Sequence, residues 1–212
     1  MVITTNTMFA QVFIAALFAL AAAENCPSGG EIYARGISNE GKIAVIKAHN
    51  DYRIQIANGL VPNQPRGVNL QRMIYDQVLG EKGRVVSDTC KMNHILAQDD
   101  RWWWVGQNLY IQWSSQKDDG RQDWETAVAG WFNEHEDFTY PNISVPGKMT
   151  GHYTQVVWAD SKSVGCDFIY FYDVEQPQYP YAKLYTCNYG PGGNVGGQVP
   201  YETGTSGCED LC

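Results

Sequence analysis

The fold is decided by two stretches near the end of the sequence, GHYTQVVW at residues 151–158 and LYTCNYGPGGNV at residues 184–195. The first is typical of a short helix from His152 to Trp158. The second continues a β-rich run, 183–189, into a turn rich in glycine. Another β-rich run precedes it at 164–172, and a linker of Pro and Tyr joins the two. The stretches therefore predict a short helix followed by the two strands of a hairpin.

Three further helices are predicted upstream, each by a polar residue that can cap its first turn. Ser38, Asp76 and Asp123 each precede a segment in which the residues that would share one helix face recur at helical spacing, mostly three or four positions apart. The second segment would bury a stripe that reaches Cys90. The residues that define the three patterns are Ile43, Ile46, Asn50, Arg53 and Ala57; Leu79, Gly83, Val86 and Cys90; and Trp124, Ala127, Val128, Trp131 and Phe138.

Two glycines, Gly80 and Gly83, interrupt the second helical pattern. Each costs roughly 1 kcal/mol relative to alanine inside a helix. We expect Gly83 there only if another backbone packs closely against it. Between the second and third helices, Val105–Trp113 has the Tyr, Ile and Trp content of a strand. Helices early, strands late and no βαβ pattern predict an α+β fold with an antiparallel sheet.

The charge balance excludes some classes of partner. The chain has 15 basic and 23 acidic residues, a formal net charge of -8. It contains no run of Lys and Arg that could follow a phosphate backbone or an anionic membrane surface. We expect no nucleic-acid partner.

The first 23 residues carry no charge and include an apolar stretch that ends with Ala21 and Ala23, at the spacing that signal peptidase accepts. We predict that 1–23 is a signal peptide and that the mature protein is extracellular. The alternative is an uncleaved anchor, although Gln11 interrupts the stretch early for a membrane span. The remaining 189 residues suit one domain, and no transmembrane segment is expected after cleavage.

Six cysteines lie beyond the predicted signal peptide. An even number in a secreted chain indicates disulfides, and no pair has the CxxC spacing of a zinc knuckle or a redox site. Fifteen pairings of six cysteines are open at this point. The cysteines are Cys26, Cys90, Cys166, Cys187, Cys208 and Cys212.

The two stretches at 151–158 and 184–195 resemble the signatures of the CAP family of secreted proteins, which includes antigen 5 allergens, cysteine-rich secretory proteins and plant pathogenesis-related proteins. HNDYR at 49–53, CKMNH at 90–94 and GQNL at 106–109 are similar to further family motifs. The resemblance covers about residues 26–201. It is closest to the antigen 5 proteins of arthropod venom and saliva, in the arm 25–36 and in the glutamine at 107.

The resemblance implies an α-β-α sandwich in which a three-stranded antiparallel sheet lies between helices. Together with the predicted signal peptide (1–23), it divides the chain into a CAP domain (24–201) and a short Cys-containing tail (202–212). It also implies three disulfide pairs, which are Cys26 with Cys90, Cys166 with Cys187, and Cys208 with Cys212.

By the same resemblance, His94, Gln107, Glu134 and His152 share a central cleft. His94, Glu134 and His152 are the candidate ligands of a divalent cation such as zinc, although no cofactor is required. Gln107 stands where many members have Glu, which removes one negative charge and one candidate base. No serine elbow and no free cysteine accompanies the histidines, so we expect no enzyme activity.

Aromatic residues form a second group of candidates. Trp102, Trp103 and Trp104 are consecutive, so they cannot all face inward on a strand. We single out Trp102 and Trp104 as candidate ligand contacts, since several CAP relatives bind sterols, fatty acids or leukotrienes. Core packing is the alternative for most of the aromatic residues. Asn142-Ile143-Ser144 is the single N-glycosylation sequon.

These patterns and the resemblance together predict a secreted, disulfide-bonded, antigen 5-like protein of venom or saliva. That it is an allergen is implied by the resemblance alone. It would bind a host extracellular protein or a small lipid, sterol or eicosanoid. The alternatives are a metal-dependent hydrolase or protease using His94, Glu134 and His152, and a structural or defence module with neither ligand nor metal.

Overall fold

The computed structural model describes residues 25–143 and 145–212. The predicted signal peptide 1–23 and Ser144 of the sequon lie outside the described residues. The strands are β1 Ile32–Arg35, β2 Ile74–Tyr75, β3 Gly106–Ser114, β4 Ser163–Tyr172 and β5 Tyr181–Gly190. The helices are α1 Asn39–Ala57, α2 Gln77–Ser87, α3 Trp124–Asn133 and α4 Gly151–Val156, with a 3-10 turn at Glu134–Glu136.

The predicted starts of the first three helices are confirmed. The side-chain oxygens of Ser38, Asp76 and Asp123 accept hydrogen bonds from backbone N–H groups three residues later. α2 ends at Ser87, earlier than the predicted stripe, because Cys90 has a φ of 53° and lies in a turn. α3 likewise ends before Phe138. The local cap chemistry therefore locates where these helices begin but not where they end.

The sheet runs in the order β1-β4-β5-β3, with antiparallel pairing throughout this path. β3, β4 and β5 are the three long strands, and they form the antiparallel sheet that the resemblance implies. Two short strands extend it. β1 comes from the Gly-rich arm and pairs with β4, and the two residues of β2 pair with β4 in parallel.

Helices cover both faces of the sheet. α2 packs on β4 and β5, while α1 and α3 pack together over the other face. A Cβ on Gly80 would lie 3.0 Å from the carbonyl oxygen of Cys166, and one on Gly83 would lie 3.4 Å from Cβ of Asp167. The close approach of β4 explains Gly80. At Gly83 the strand also lies nearby, but a Cβ there would make only ordinary contacts, so glycine is not required.

α1 buries polar residues on its inner face. Arg53 is fully buried, and its guanidinium donates hydrogen bonds to the carbonyl oxygens of residues 71, 156, 158 and 159. His49 is also fully buried, with Nδ1 bonded to the Val45 carbonyl and Nε2 to the Tyr189 hydroxyl. Burial lowers the pKa of His49 to about 4. These residues fasten α1 to the signature stretches.

Disulfides join Cys26 to Cys90, Cys166 to Cys187 and Cys208 to Cys212, the pairs that the resemblance implies. The first connects the N-terminal arm to the turn after α2, and the second joins directly paired residues of β4 and β5. None of the helices in the described ranges combines the length and the apolar content that a membrane span requires.

Candidate functional site

Glu134 and His152 form the first part of the site. Glu134 begins the 3-10 turn that follows α3, and His152 lies in the first turn of α4. Oε1 of Glu134 lies 2.6 Å from Nδ1 of His152, and Oε2 accepts from the backbone N–H groups of His152 and Tyr153 at 3.0 and 3.1 Å. Because a carboxylate only accepts, Nδ1 of His152 carries a proton.

His94 and Gln107 form the second part. Gln107 lies at the second position of β3, and His94 lies in the exposed loop after α2. Oε1 of Gln107 lies 2.9 Å from Nδ1 of His94, and Nε2 of Gln107 donates to Oδ1 of Asn188 at 3.0 Å and to the Ile95 carbonyl at 2.9 Å. The amide thus connects the loop to the sheet.

The orientation of these amides follows from one buried carbonyl. The oxygen of Leu79 can only accept, so the group of Asn188 that faces it at 3.0 Å is Nδ2. Oδ1 of Asn188 must then face the amide nitrogen of Gln107, and Oε1 of Gln107 faces His94. His94 therefore donates from Nδ1. A glutamate at 107 could not donate to either Asn188 or Ile95.

The four predicted cleft residues thus appear as two hydrogen-bonded pairs around the beginning of β3. Asn108, next to Gln107, donates to the His152 carbonyl at 3.1 Å and to the Tyr189 hydroxyl at 3.3 Å. Asn188 and Asn108 lie within the quoted motifs but were not predicted to be members of the site. The signal that could have found Asn188 is its position opposite Gln107 in the pairing of β3 with β5.

A divalent cation at the candidate ligands His94, Glu134 and His152 is not supported. Within residues 25–143 and 145–212, no three His, Cys, Asp or Glu side chains are grouped so that they could hold a metal ion. The physical reason is that both oxygens of Glu134 already accept hydrogen bonds from His152 and Tyr153. The glutamate orients a histidine and is not turned toward a cation.

The two signature stretches contact each other directly. Oε1 of Gln155 accepts from the backbone N–H of Gly193 at 2.8 Å, and the Thr154 hydroxyl donates to Oδ1 of Asn194 at 2.6 Å. Asn194 has a φ of 58° and donates to the Gly151 carbonyl. The glycine-rich turn is therefore fixed against α4 by these hydrogen bonds.

Two of the three consecutive tryptophans contact this turn. Nε1 of Trp104 donates to the Gly193 carbonyl at 3.1 Å, and the ring of Trp102 packs over Gly190 and under the guanidinium of Arg101 at 4.3 Å. Trp103, in contrast, is 78% exposed. The prediction that the three cannot all face inward is confirmed, but the most accessible ring is Trp103 and not Trp102 or Trp104.

A cavity of about 350 Å³ opens between the tryptophans and the preceding loop, lined by residues 96–100 and 102–105. The loop itself is apolar and exposed at Met92, Ile95 and Leu96. His94 is in the same loop. Asn142 of the sequon is also exposed, in the loop that follows the 3-10 turn.

Comparison with known proteins identifies the family. The model of the cysteine-rich secretory protein family, CAP, matches residues 46–189. The chain is 35% identical over 189 residues to a CRISP/Allergen/PR-1 protein of Trittame loki. The aligned region covers 84% of this chain and 45% of the relative. The chain thus spans less than half of that relative's length. It is 33% identical over 180 residues to the salivary antigen-5 of Dipetalogaster maximus, 82% of this chain and 70% of the relative.

Venom allergen 5 of Vespula flavopilosa is 33% identical over 177 residues, 79% of this chain and 83% of the relative. Among solved structures, NaASP2 with Zn²⁺ superposes with a TM-score of 0.67 at 25% identity, over 89% of this chain and all of that one. Na-ASP-1 superposes with a TM-score of 0.65 at 24% identity, over 80% of this chain and 43% of that one, and shares the fold. The chain belongs to the cysteine-rich secretory protein family, CAP.

Proposed function

We propose that this chain is a secreted antigen 5-like protein of venom or saliva that acts by binding a host protein and catalyses no reaction. Family membership and relatives named salivary antigen-5 and venom allergen 5 support the setting. Three disulfides suit an oxidising, extracellular environment. The proposal includes a signal peptide at 1–23, a CAP domain at 24–201 and a tail at 202–212.

The observation that carries the binding role is the exposure of Trp103. A tryptophan that is 78% exposed buries little of its surface in its own fold, so packing contributes little to keeping it there. Met92, Ile95 and Leu96 extend the apolar surface along the neighbouring loop. Exposed aromatic residues rimmed by polar groups are typical of protein interfaces, where Trp often contributes most of the binding free energy. We call residues 92–104 the aromatic loop.

The hydrogen bonds of the polar pairs support a non-catalytic role. Glu134, the candidate general base, accepts three hydrogen bonds from the protein itself. Gln107 is a neutral amide, and all six cysteines are in disulfides, so the cleft offers no thiol nucleophile. The hydrolase alternative therefore has no support in the geometry of Glu134.

A small hydrophobic ligand is the second candidate, and the cavity beside Trp102 and Trp104 favours it. Its volume of about 350 Å³ lies near the lower end of the range for small-molecule sites. Asp99 and Asp100 are also in its wall, so the cavity is not wholly apolar. Glycosylation at Asn142 is likewise proposed, because the residue is exposed in a loop of a secreted protein.

The test compares the purified, glycosylated protein with two tryptophan variants. Trp103→Ser removes the exposed ring. Trp113→Ser is the matched control, because Trp113 is 44% exposed at the other end of β3. Each protein is immobilised and exposed to blood plasma, and retained proteins are quantified by mass spectrometry. We expect a plasma protein that binds the wild type and the control and is lost from Trp103→Ser, with Kd raised about 30-fold for a hot-spot residue.

Identical retention by all three proteins would contradict the role of the aromatic loop. Native mass spectrometry of the same preparation tests the second candidate. A lipid-sized mass that is lost in a Trp102→Ala, Trp104→Ala variant, together with no plasma partner, would favour the small ligand instead.

A further inference from the structure

The outer face of α1 carries a row of isoleucines, of which only Ile46 packs in part against the core. Ile43 is 70% exposed, and Ile46 and Ile54 are only partly buried. Ile74, from the segment before α2, is 62% exposed beside them. Together they line an open groove of about 680 Å³ that we call the α1 groove. It shares no residue with the aromatic loop.

The composition of this face is unexpected for a helix surface. Isoleucine is β-branched and a weaker helix former than Ala, Lys or Glu, so local propensity does not favour it at Ile43 or Ile46. Packing does not account for Ile43 or Ile74 either, since most of each side chain is exposed to solvent. An exposed apolar row of this kind is typical of a binding surface.

The floor of the α1 groove is held in place by Asn50. Oδ1 of Asn50 accepts from the backbone N–H of Met73, and Nδ2 donates to the Met73 carbonyl, both within 3.0 Å. The side chain is buried, and both of its polar atoms are satisfied. The groove between α1 and residues 72–75 is therefore preformed, and binding would not have to order it.

The charges around the α1 groove have the opposite sign to the chain as a whole. Lys42, Lys47 and Arg72 line it with a single acid, Asp51, so its lining has a net charge of +2 in a chain of net charge -8. Lys47 pairs with Asp51 at 2.5 Å. Lys42 donates to the neutral amide of Gln77. The ammonium of Lys42 keeps its charge available to an anion.

The molecule that binds in the α1 groove must complement isoleucines at helical spacing and several positively charged side chains. Lys42 and Ile54 are twelve residues apart on α1, which corresponds to about 18 Å of helix. A lipid with one carboxylate would satisfy one cation, and an open groove would leave much of its chain in water. An amphipathic helix with acidic side chains can place apolar residues on the isoleucines and carboxylates near the cations.

We propose that the α1 groove docks an acidic amphipathic helix of a partner protein. The apolar contact is supplied by Ile43, Ile46, Ile54 and Ile74. Lys42 and Arg72 select for acidic side chains. This surface is separate from the aromatic loop, so the protein would offer two binding faces. An experiment can contradict the proposal for one face without affecting the proposal for the other.

The test uses the disulfide-bonded mature protein with ¹³C-labelled isoleucine δ1 methyl groups. The probe is a synthetic peptide of about 14 residues, four helical turns, with leucines at helical spacing and glutamates elsewhere. We expect saturable NMR shifts at Ile43, Ile46, Ile54 and Ile74. Ile56 and Ile169 are buried and serve as internal references, and Ile95 reports on the aromatic loop. A peptide with lysines in place of the glutamates should bind at least about tenfold more weakly, because its charges oppose those of the groove.

Two substitutions check the contacts. Ile43→Gln should raise Kd for the acidic peptide about fivefold to tenfold, since it removes an exposed apolar anchor without disturbing the core. Val85→Gln is the matched control, because Val85 is 55% exposed on α2. Three outcomes would overturn the proposal: no shift at about 1 mM peptide, a very weak affinity; equal shifts with the lysine peptide; or shifts caused by palmitate or anionic vesicles but not by the peptide.

Discussion

Nδ1 of His152 lies 2.6 Å from Oε1 of Glu134, and the other oxygen of that carboxylate binds the backbone of the same histidine. The first turn of α4 is thus attached to the end of α3 by one side chain. The carboxylate fixes the tautomer of His152 and satisfies two N–H groups at the start of a helix. In this chain the glutamate is a structural cap as much as a member of the polar site.

Glu134→Gln should change the tautomer of His152. The glutamine amide nitrogen would face Nδ1, so the imidazole proton should move to Nε2 and leave Nδ1 as acceptor. In the ¹⁵N spectrum of the His152 ring, we expect Nε2 to become the protonated nitrogen and Nδ1 the unprotonated one. The free energy of unfolding should fall by about 1–2 kcal/mol, because charge-assisted hydrogen bonds are lost. Glu136→Gln, at an exposed residue of the same 3-10 turn, is the control. Unchanged ring shifts would contradict the assigned hydrogen bond.

Gln107→Glu should destabilise the protein, although it restores the residue common in the family. The change removes the donor that Asn188 and the Ile95 carbonyl need, and leaves acceptor facing acceptor. We expect a loss of about 1–3 kcal/mol in denaturant unfolding. Gln112→Glu introduces the same charge on the same strand as a control. A Gln107→Glu protein as stable as the wild type would show that the amide orientation is wrong.

Acid should weaken the fold through His49. Burial lowers its folded pKa from 6.5 to about 4, so between these values the unfolded chain binds more protons than the folded one. Stability should therefore fall as pH drops from about 6.5 to about 4, by about 3 kcal/mol for this histidine. The slope should be smaller in His49→Gln. Equal slopes in the wild type and in His49→Gln would argue against the buried histidine.

The two glycines of α2 should respond in opposite ways to alanine. At Gly83 the new methyl group meets its nearest neighbour at 3.4 Å, an ordinary contact, so helix propensity should stabilise the protein by up to about 1 kcal/mol. At Gly80 the methyl group meets the Cys166 carbonyl at 3.0 Å and the Tyr75 hydroxyl at 2.8 Å. We expect a loss of about 1–3 kcal/mol there from overpacking. Thermal unfolding of the two variants measures both signs, and equal effects would contradict the packing of α2 on β4.

Local chemistry was sufficient to predict the helix starts and the long strands. Caps at Ser38, Asp76 and Asp123 act within three residues, so they can be found without knowing the fold. The short strands β1 and β2 could not be predicted in this way. Each has no more than four residues and forms only because β4 lies beside it.

The residues of the candidate site could be predicted from the sequence, but the hydrogen bonds between them could not. The motifs located His94, Gln107, Glu134 and His152. They could not indicate that His94 bonds Gln107 and that His152 bonds Glu134. These pairings depend on Asn188 and on backbone groups that are distant in sequence. The face that α1 exposes was also not predictable, because its inner side buries His49 and Arg53 while Ile43 remains outside.

The four carbonyl groups held by Arg53 restrict when the chain can fold during its synthesis. Three of them belong to residues 156, 158 and 159, more than 100 positions downstream. Until those residues have left the ribosome, α1 carries a positive charge that has no buried partner and must stay in water. Completion of this domain is thus a late event in translation, and a nascent chain that stalls before residue 159 would remain open to chaperones and proteases.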